Sequence, residues 1–335
     1  MTALITGTTG FIGRRLIRPG DRALVRRPAG LENEVLGDLA DPASLARACD
    51  GVETVFHCAG LAEASLGSDA EAQWRINFEG TRNLLDAAGR AGVVRFVFFS
   101  SVKAMAEPGD ACADEDWPGE PATAYGKAKR AAEEAVLEAG AKYGMHVVNL
   151  RLALVYGRGN RGNLWKMAQA IRKGWFPGLP ETGNRRSIVH VQDVVEAARL
   201  VAQRAEANGR TYIIADPRPY STHEIETAIR AVLPAPSLWA PHARRIPPQR
   251  GSLPPTGGRA SAWGGPAPTF WTLPAWALRA AGRLHPRLAE IVDRLMGSAC
   301  YSPGRIEREL GWRARVGIEE GLLEMLGSGN PESSD

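Results

Sequence analysis

Short apolar runs recur from residue 1 to about 232, separated by stretches long enough for helices. Such runs fill residues 3–5 and 23–25, and 93–99 is dense in valine and phenylalanine. They are typical of strands buried on both faces of a parallel sheet. Residues 164–173 have the spacing of an amphipathic helix. The pattern predicts an α/β fold, a doubly wound parallel sheet with a smaller, mostly helical region.

Three glycines follow the first apolar run at three-residue spacing. Gly7, Gly10 and Gly13 lie where a strand should end and a helix begin. Glycine lets the backbone approach a pyrophosphate, and the N–H groups and dipole of the helix start favour an anion. The stretch therefore predicts nucleotide binding. Only eight residues separate Gly13 from Arg22, so the first helix is predicted to be short.

A tyrosine and a lysine stand four residues apart in Tyr125-Gly126-Lys127-Ala128-Lys129. In a helix, both side chains would share one face. An ammonium near a phenol favours the phenolate and lowers the tyrosine pKa from about 10, which makes Tyr125 a candidate general acid/base. Taken alone, such a pair is more often a solvated helix face.

Six motifs in the expected order resemble the extended branch of the short-chain dehydrogenase/reductase family, which includes sugar-nucleotide epimerases, dehydratases and reductases. The resemblance covers residues 1 to about 232 and resumes near 290. The motifs are Thr6-Gly7-Thr8-Thr9-Gly10-Phe11-Ile12-Gly13, Gly37-Asp38-Leu39, His57-Cys58-Ala59-Gly60, Asn77-Phe78-Glu79-Gly80-Thr81, Ser100-Ser101-Val102, and Tyr125 with Lys129. The resemblance implies an NAD(P)-dependent enzyme with a Rossmann-type sheet.

It also implies roles for individual residues. Hydride would pass between the nicotinamide and a carbinol or ketone carbon. Tyr125 would exchange the proton at the oxygen, Lys129 would lower the tyrosine pKa and reach the nicotinamide ribose, and Ser101 would orient the substrate oxygen. The residues implied to bind the cofactor are Gly7, Thr9, Gly10, Phe11, Ile12, Gly13, Arg26, Arg27, Asp38, Leu39, Cys58, Ala59, Gly60, Asn77, Ser100, Tyr125 and Lys129. Ser100 could equally cap the next helix.

The choice of cofactor depends on the residues just after the second strand. An acidic side chain there binds the ribose 2′-hydroxyl of NAD, whereas an arginine accommodates the 2′-phosphate of NADP. Arg26 and Arg27 occupy this stretch. NADP is therefore favoured, with NAD as the alternative if these arginines only coat the surface.

The substrate is inferred from the second half and from the residues after Ser101. Arg186 resembles the arginine that extended enzymes present to a substrate diphosphate, a group that guanidinium binds in a bidentate way. Lys103 and Asn163 are the other candidate substrate-binding residues. Val102-Lys103 replaces the Asp-Glu pair of the 4,6-dehydratases, which disfavours dehydration. Ser100-Ser101-Val102-Lys103, with Asn184-Arg185-Arg186-Ser187 further on, resembles enzymes that act at C4 of nucleotide-linked sugars, so the resemblance implies epimerisation or reduction at C4 of a nucleoside-diphosphate sugar.

Two other functions remain open. A 3-hydroxysteroid-type or other apolar-alcohol dehydrogenase is favoured by Leu154, where many relatives have asparagine, and by the tryptophan-rich stretch 263–276, but Arg186 opposes it. A non-catalytic cofactor-sensing protein is disfavoured because a sensor does not need the Ser-Tyr-Lys trio.

We expect an NAD(P)-binding domain over residues 1–150, re-entered around 185–216. The substrate-binding region would comprise 151–184 and 217–330. Nine prolines, five glycines and four arginines without an acid make 234–270 a predicted loop or disordered insertion. The aromatic-rich residues 270–279 favour a lid or core segment over a membrane contact.

Composition and charge limit the classes of partner that we expect for the protein. The formal net charge of +4 equals the four arginines of that insertion, so nucleic acid is not an expected partner. The six histidines and four cysteines lack metal-ligand spacing, which predicts no metal and a reduced, cytoplasmic protein. No leader opens the chain and no run of 18 apolar residues occurs, so no integral membrane segment is expected. The family habit of pairing through the helix that carries Tyr125 implies a homodimer.

Overall fold

A computed structural model of the chain describes residues 2–63, 69–233, 274, 276, 292 and 295–327. The insertion expected over 234–270 lies outside the described residues, as does most of the stretch 270–279. Trp276 is described, and its side chain is 73% exposed. A core position is therefore wrong for this residue.

Eleven strands are found in the described residues, and seven of them form one parallel sheet. The strands are β1 Ala3–Thr6, β2 Arg22–Val25, β3 Glu34–Leu36, β4 Thr54–His57, β5 Arg95–Ser101, β6 Cys112–Ala113, β7 His146–Leu152, β8 Leu154–Tyr156, β9 Ile188–His190, β10 Arg210–Ile214 and β11 Cys300–Tyr301. The large sheet has the order β3-β2-β1-β4-β5-β7-β10. The chain moves outward from β1 in both directions, which confirms the doubly wound fold and places a ligand crevice where β1 and β4 diverge.

Helices cover both faces of this sheet. They are α1 Gly13–Leu16, α2 Pro42–Cys49, α3 Ala70–Trp74, α4 Gly80–Arg90, α5 Ala124–Tyr143, α6 Asn163–Arg172, α7 Val191–Gln203, α8 Thr222–Val232, α9 Gly304–Leu310 and α10 Ile318–Leu326. A π-helical turn, Arg75–Glu79, joins α3 to α4. The four residues of α1 confirm the short first helix.

The core has three parts. Leu45, Leu84 and Val136, from α2, α4 and α5, belong to the core on one face of the sheet. Residues of α1, α7 and α9 belong to the core that includes the other face. A third core joins α6, α8 and α10 to β8 and β9.

The expected return of the chain to the main sheet is only partly observed. β10 is an edge strand that pairs with β7 in parallel. β9, by contrast, pairs with β8 in a separate two-stranded sheet. Residues 185–201 therefore contact the main sheet through α7, which packs on β5 and β7, and they add no strand to it.

A disulfide joins Cys112 of β6 to Cys300 of β11, with the two Cα atoms 4.5 Å apart and a sequence separation of 188. The expectation of fully reduced cysteines is wrong for this pair, because spacing along the chain says nothing about residues that a sheet brings together. Cys49 and Cys58 are free. Within the described residues, no helix is long and apolar enough to cross a membrane.

Candidate active site

The glycine-rich loop crosses the end of β4 at close range. Gly7 has a φ of +72°, and a β-carbon there would lie 2.8 Å from the Ala59 nitrogen. A β-carbon on Gly13 would collide with the Gly7 carbonyl. Only glycine allows this crossing. The Thr8 hydroxyl beneath it is buried without a hydrogen-bond partner among the described residues, as expected of a loop that would hold the polar groups of a dinucleotide.

A buried chain of hydrogen bonds runs beneath this crevice through His57. The Ala59 N–H donates to Thr6 Oγ1 at 3.0 Å, and Thr81 Oγ1 donates to the Asn77 carbonyl at 2.8 Å. His57 lies between the two threonines, 2.8 Å from Thr6 Oγ1 and 2.9 Å from Thr81 Oγ1. All these groups are satisfied when Thr6 donates to Nδ1 and Nε2–H donates to Thr81. Burial, with a smaller effect from the Lys129 charge, lowers the His57 pKa to about 3, which keeps the ring neutral.

Asn77 fixes the backbone that follows β4. Its Oδ1 accepts from the Leu61 N–H at 2.8 Å, and its Nδ2 donates to the Leu61 carbonyl at 3.0 Å. A β-carbon on Gly60 would lie 2.7 Å from this Oδ1 and 3.6 Å from Lys129 Nζ. The structure thus brings together Gly60, Asn77 and Lys129 from three separate motifs.

Ser101 and Tyr125 meet at the carboxyl end of β5, where their hydroxyls are hydrogen-bonded. The Thr123 hydroxyl caps α5 by accepting from the Gly126 N–H at 3.0 Å. A β-carbon on Gly126 would collide with the Lys103 carbonyl. Gly126 therefore lets the start of α5 approach the loop after Ser101, a requirement already present in the Tyr-Gly pair of the sequence.

The pKa of Tyr125 runs against the sequence-based expectation. Burial raises it to about 12, with an opposing effect from the Ser101 hydrogen bond and a further increase from the Glu63 carboxylate. The Lys129 ammonium donates instead to the Phe99 carbonyl at 2.8 Å and lies 4.6 Å from the centre of the Phe98 ring. The prediction that Lys129 lowers the Tyr125 pKa is therefore wrong for this structure. Tyr125 is a neutral phenol, a proton donor at neutral pH.

Lys129 is itself perturbed. Its side chain is 5% exposed, and burial lowers its pKa to about 8 despite the opposing effects of Cys58 and Glu133. Burial also raises the pKa of the Cys58 thiol, so a thiolate is not available there at neutral pH.

Glu133, on the same face of α5 as Tyr125 and Lys129, was not among the predicted site residues. Its carboxylate accepts from Ser100 Oγ at 2.5 Å and from Arg151 Nη2 at 2.8 Å, and all three side chains are buried. The Ser100 hydroxyl is thereby directed into the protein. Its predicted contact with the cofactor stays a prediction. An acid four residues after Lys129 was the signal in the sequence.

The other predicted cofactor residues surround the crevice. Arg26 and Arg27 are exposed and directly follow β2, which pairs with β1. Asp38 is exposed, and its Oδ1 accepts from the Ala40 N–H at 2.8 Å. Thr9 and Gly10 are also exposed, whereas Phe11, Ile12, Leu39, Cys58 and Ala59 are half-buried.

The predicted substrate residues are differently placed. Lys103 forms a 2.6 Å ion pair with Glu107, and Asn163 is the exposed first residue of α6. Arg186 is half-buried, and its charge lowers the pKa of Tyr301 against the dominant effect of burial. The Glu63 charge acts on both Tyr301 and Tyr125. The backbone of Arg186 pairs with Tyr220 and Ala299.

The chain is similar in sequence and in fold to known proteins. Residues 3–215 match the NAD dependent epimerase/dehydratase family. UDP-glucose 4-epimerase of Vibrio cholerae is 27% identical over 341 residues, which cover 96% of this chain and 93% of that protein. The 3 beta-hydroxysteroid dehydrogenase/Delta 5→4-isomerase of Mycobacterium tuberculosis is 30% identical over 355 residues, covering 96% and 89%. The solved structure of MoeE5 in complex with UDP-glucuronic acid and NAD has a TM-score of 0.69 at 24% identity, covering 97% of each chain.

Proposed function

Because the chain belongs to the NAD-dependent epimerase/dehydratase family, in the extended branch of the short-chain dehydrogenases/reductases, we propose that it acts at C4 of a nucleoside-diphosphate sugar. The reaction is hydride transfer at a secondary alcohol or ketone, as an epimerase or a 4-keto reductase. One observation carries this proposal, namely the half-buried Arg186, whose guanidinium can bind a diphosphate.

The nicotinamide supplies or accepts the hydride when it is bound. In the direction of reduction, the neutral Tyr125 phenol donates its proton to the ketone oxygen as the carbon gains hydride, which gives the alcohol. Ser101, hydrogen-bonded to Tyr125, orients that oxygen. Lys129, whose ammonium donates to the Phe99 carbonyl, would reach the nicotinamide ribose when the cofactor is bound.

The cofactor is NAD or NADP, and NADP is the form we propose. Arg26 and Arg27 directly follow β2, next to the strand that carries the glycine loop. Both guanidinium groups are exposed, and either can accept a 2′-phosphate. A preference for NADP would favour net reduction, since an epimerase returns its hydride and needs no pool of reductant.

An apolar secondary alcohol is the second candidate substrate. Leu154 lies two residues beyond the end of β7, at the carboxyl edge of the main sheet, and 39% of its surface is exposed. A leucine there offers a steroid-like substrate an apolar contact and no hydrogen bond. The 30% identical hydroxysteroid dehydrogenase is consistent with this alternative.

Separate assays with a nucleotide sugar and with a steroid decide between the two candidate substrates. The purified protein is given NADPH or NADH with a UDP-4-keto sugar, then NADP or NAD with a 3-hydroxysteroid, and absorbance of the reduced nicotinamide is followed. Nucleotide-sugar epimers are measured separately by chromatography. Tyr125→Phe is expected to abolish turnover. Arg186→Leu is expected to raise KM for the nucleotide sugar, while the neighbouring Arg185→Leu, an exposed arginine, serves as the matched control. Steroid oxidation without any turnover of nucleotide sugars would favour the second candidate.

We also propose domain bounds, an oligomeric state and a location on the basis of the family. We assign cofactor binding to residues 1–150 with 185–216, and substrate binding to 151–184 and 217–330. A homodimer would form through α4 and α5, whose groove of about 350 Å³ includes Phe78, Leu85 and Tyr143. Size-exclusion chromatography with light scattering tests the dimer. A cytoplasmic location stays a prediction.

A further inference from the structure

Trp175 is the most exposed large apolar side chain in the part of the chain that the structure describes, with 82% of its surface open to solvent. It follows α6 in the stretch Gly174-Trp175-Phe176-Pro177. Exposure of one tryptophan to this degree leaves a large apolar area in water, so a partner that removes it from water would be stabilising.

The loop that carries Trp175 is fixed. Gly174 has a φ of +72°, which allows the Trp175 N–H to turn back and donate to the Ala170 carbonyl at 3.0 Å. Arg230 of α8 donates to the Phe176 carbonyl at 3.0 Å, and the Leu179 N–H donates to Glu226 at 2.7 Å. The ring is therefore held away from the protein by its backbone.

The segment of chain that leads into this loop is basic. Residues 157–180 contain five arginines and lysines and no acid. α6 buries Leu164, Ala168 and Ile171, so Lys166 and Lys173 lie on its opposite face, where both are exposed. Arg172 and Lys173, both exposed, lie next to Gly174. Among the described residues, none forms an ion pair with Lys166, Arg172 or Lys173. We call Lys166, Arg172, Lys173 and Trp175 the α6 patch.

We propose that the α6 patch binds an anionic phospholipid surface. A tryptophan flanked by cations suits the boundary between lipid headgroups and acyl chains, where the ring enters the apolar layer and the lysines and arginine contact the phosphates. Each such cation favours a negatively charged leaflet. A nucleic acid would instead need a groove lined by cations and stacking rings, whereas here the ring stands on a loop after the helix.

This inference does not depend on the proposed function. The patch lies in the predicted substrate-binding region, so membrane binding would hold that region at a lipid surface. A water-soluble sugar nucleotide and a lipid alcohol could each be used there, and the two questions are tested with different readouts.

The test is co-sedimentation of the full chain with vesicles of phosphatidylcholine alone and of phosphatidylcholine with phosphatidylglycerol, at low and at physiological salt. We expect binding to the anionic vesicles only, weakened by salt. Lys166→Glu with Lys173→Glu should lower the partition coefficient at least about 30-fold, taking about fivefold per lost charge. Trp175→Ala should lower it roughly tenfold through lost apolar contact.

Two controls isolate the patch. Arg90→Glu with Arg204→Glu changes two other exposed cations and lowers the formal charge from +4 to zero, as the lysine pair does. Trp74→Ala removes a tryptophan that is 42% exposed on α3. Both controls should bind vesicles as the unaltered protein does, and circular dichroism checks that all variants fold. The proposal is overturned if anionic vesicles are not bound, if the controls lose binding as much as the patch variants, or if single-stranded DNA binds the patch and vesicles do not.

Discussion

Breaking the Cys112–Cys300 disulfide tests how much one covalent link between β6 and β11 contributes to the stability of the fold. The bond spans 188 residues. Closing a loop of that length removes conformational entropy from the unfolded chain worth about 5 kcal/mol. An unfolding entropy of about 2.1 cal/mol/K per residue over 335 residues gives about 0.7 kcal/mol per degree. Reduction should therefore lower Tm by roughly 7 °C.

Thermal unfolding of the unaltered protein and of Cys112→Ser, each with and without reductant, measures this directly. Reductant should shift Tm of the unaltered protein and leave the variant unchanged, and the two reduced proteins should unfold together. Alkylation of the denatured protein without reductant should label Cys49 and Cys58 alone. Labelling of all four cysteines, or a Tm that reductant does not move, would refute the reasoning.

The same bond should influence substrate binding more than chemistry. The Ala299 N–H donates to the Arg185 carbonyl at 2.7 Å, and the Tyr301 N–H donates to Ser187 Oγ at 2.9 Å. These contacts hold the backbone on both sides of Arg186. Loosening β11 should therefore raise KM for a diphosphate substrate while kcat, which we propose depends on Ser101 and Tyr125, changes little. A fall in kcat at an unchanged KM would contradict the prediction that the bond acts on substrate binding.

Three further substitutions test the buried charges. Lys129→Met should abolish turnover yet raise the free energy of unfolding at pH 7 by about 3 kcal/mol, since a lysine whose pKa falls from 10.5 to about 8 opposes folding while charged. Glu133→Gln should cost about 3–5 kcal/mol because Arg151 keeps its buried charge. Asp216, 3% exposed, has a pKa raised from 3.8 to about 7, mainly by burial, so its contribution to stability falls as pH rises between those values. Asp216→Asn should therefore stabilise the protein by about 4 kcal/mol at pH 8 and by little at pH 4.

Urea unfolding across pH 4 to 9 measures all three effects. A Lys129→Met protein less stable than its parent at pH 7 would mean that the ammonium is satisfied where it lies. An unchanged stability in Glu133→Gln would place Arg151 in contact with water. An Asp216→Asn gain that does not depend on pH would have to come from packing, because the charge argument requires the gain to vanish on acidification.

Features set by near neighbours in sequence were predictable. The apolar run 23–25 lies in β2, and the eight residues between Gly13 and Arg22 leave room only for the short α1. The glycine loop was also predictable, because the need for glycine at these positions is steric. These signals depend on residues that lie within one strand or one turn of each other.

Features that depend on contacts across the fold were not predictable. Cys112 and Cys300 meet only because β6 and β11 pair, and neither two-residue strand has a periodic pattern. Likewise, the Tyr125 pKa is raised mainly by burial of the phenol, which depends on how the chain folds around it. The sequence places Lys129 one helical turn away, but it cannot say that the ammonium donates to the Phe99 carbonyl.

The direction of the Tyr125 and Lys129 pKa shifts bears on the chemistry that the site favours. Burial raises one pKa to about 12 and lowers the other to about 8, so both shifts favour the uncharged form. A neutral phenol is ready to protonate a ketone oxygen, whereas oxidation of an alcohol first needs the phenolate. Reduction should therefore persist at neutral pH, and oxidation of the same substrate pair should rise steeply as pH increases. A flat pH profile for oxidation between pH 7 and 10 would mean that a group other than the Tyr125 phenol accepts the proton.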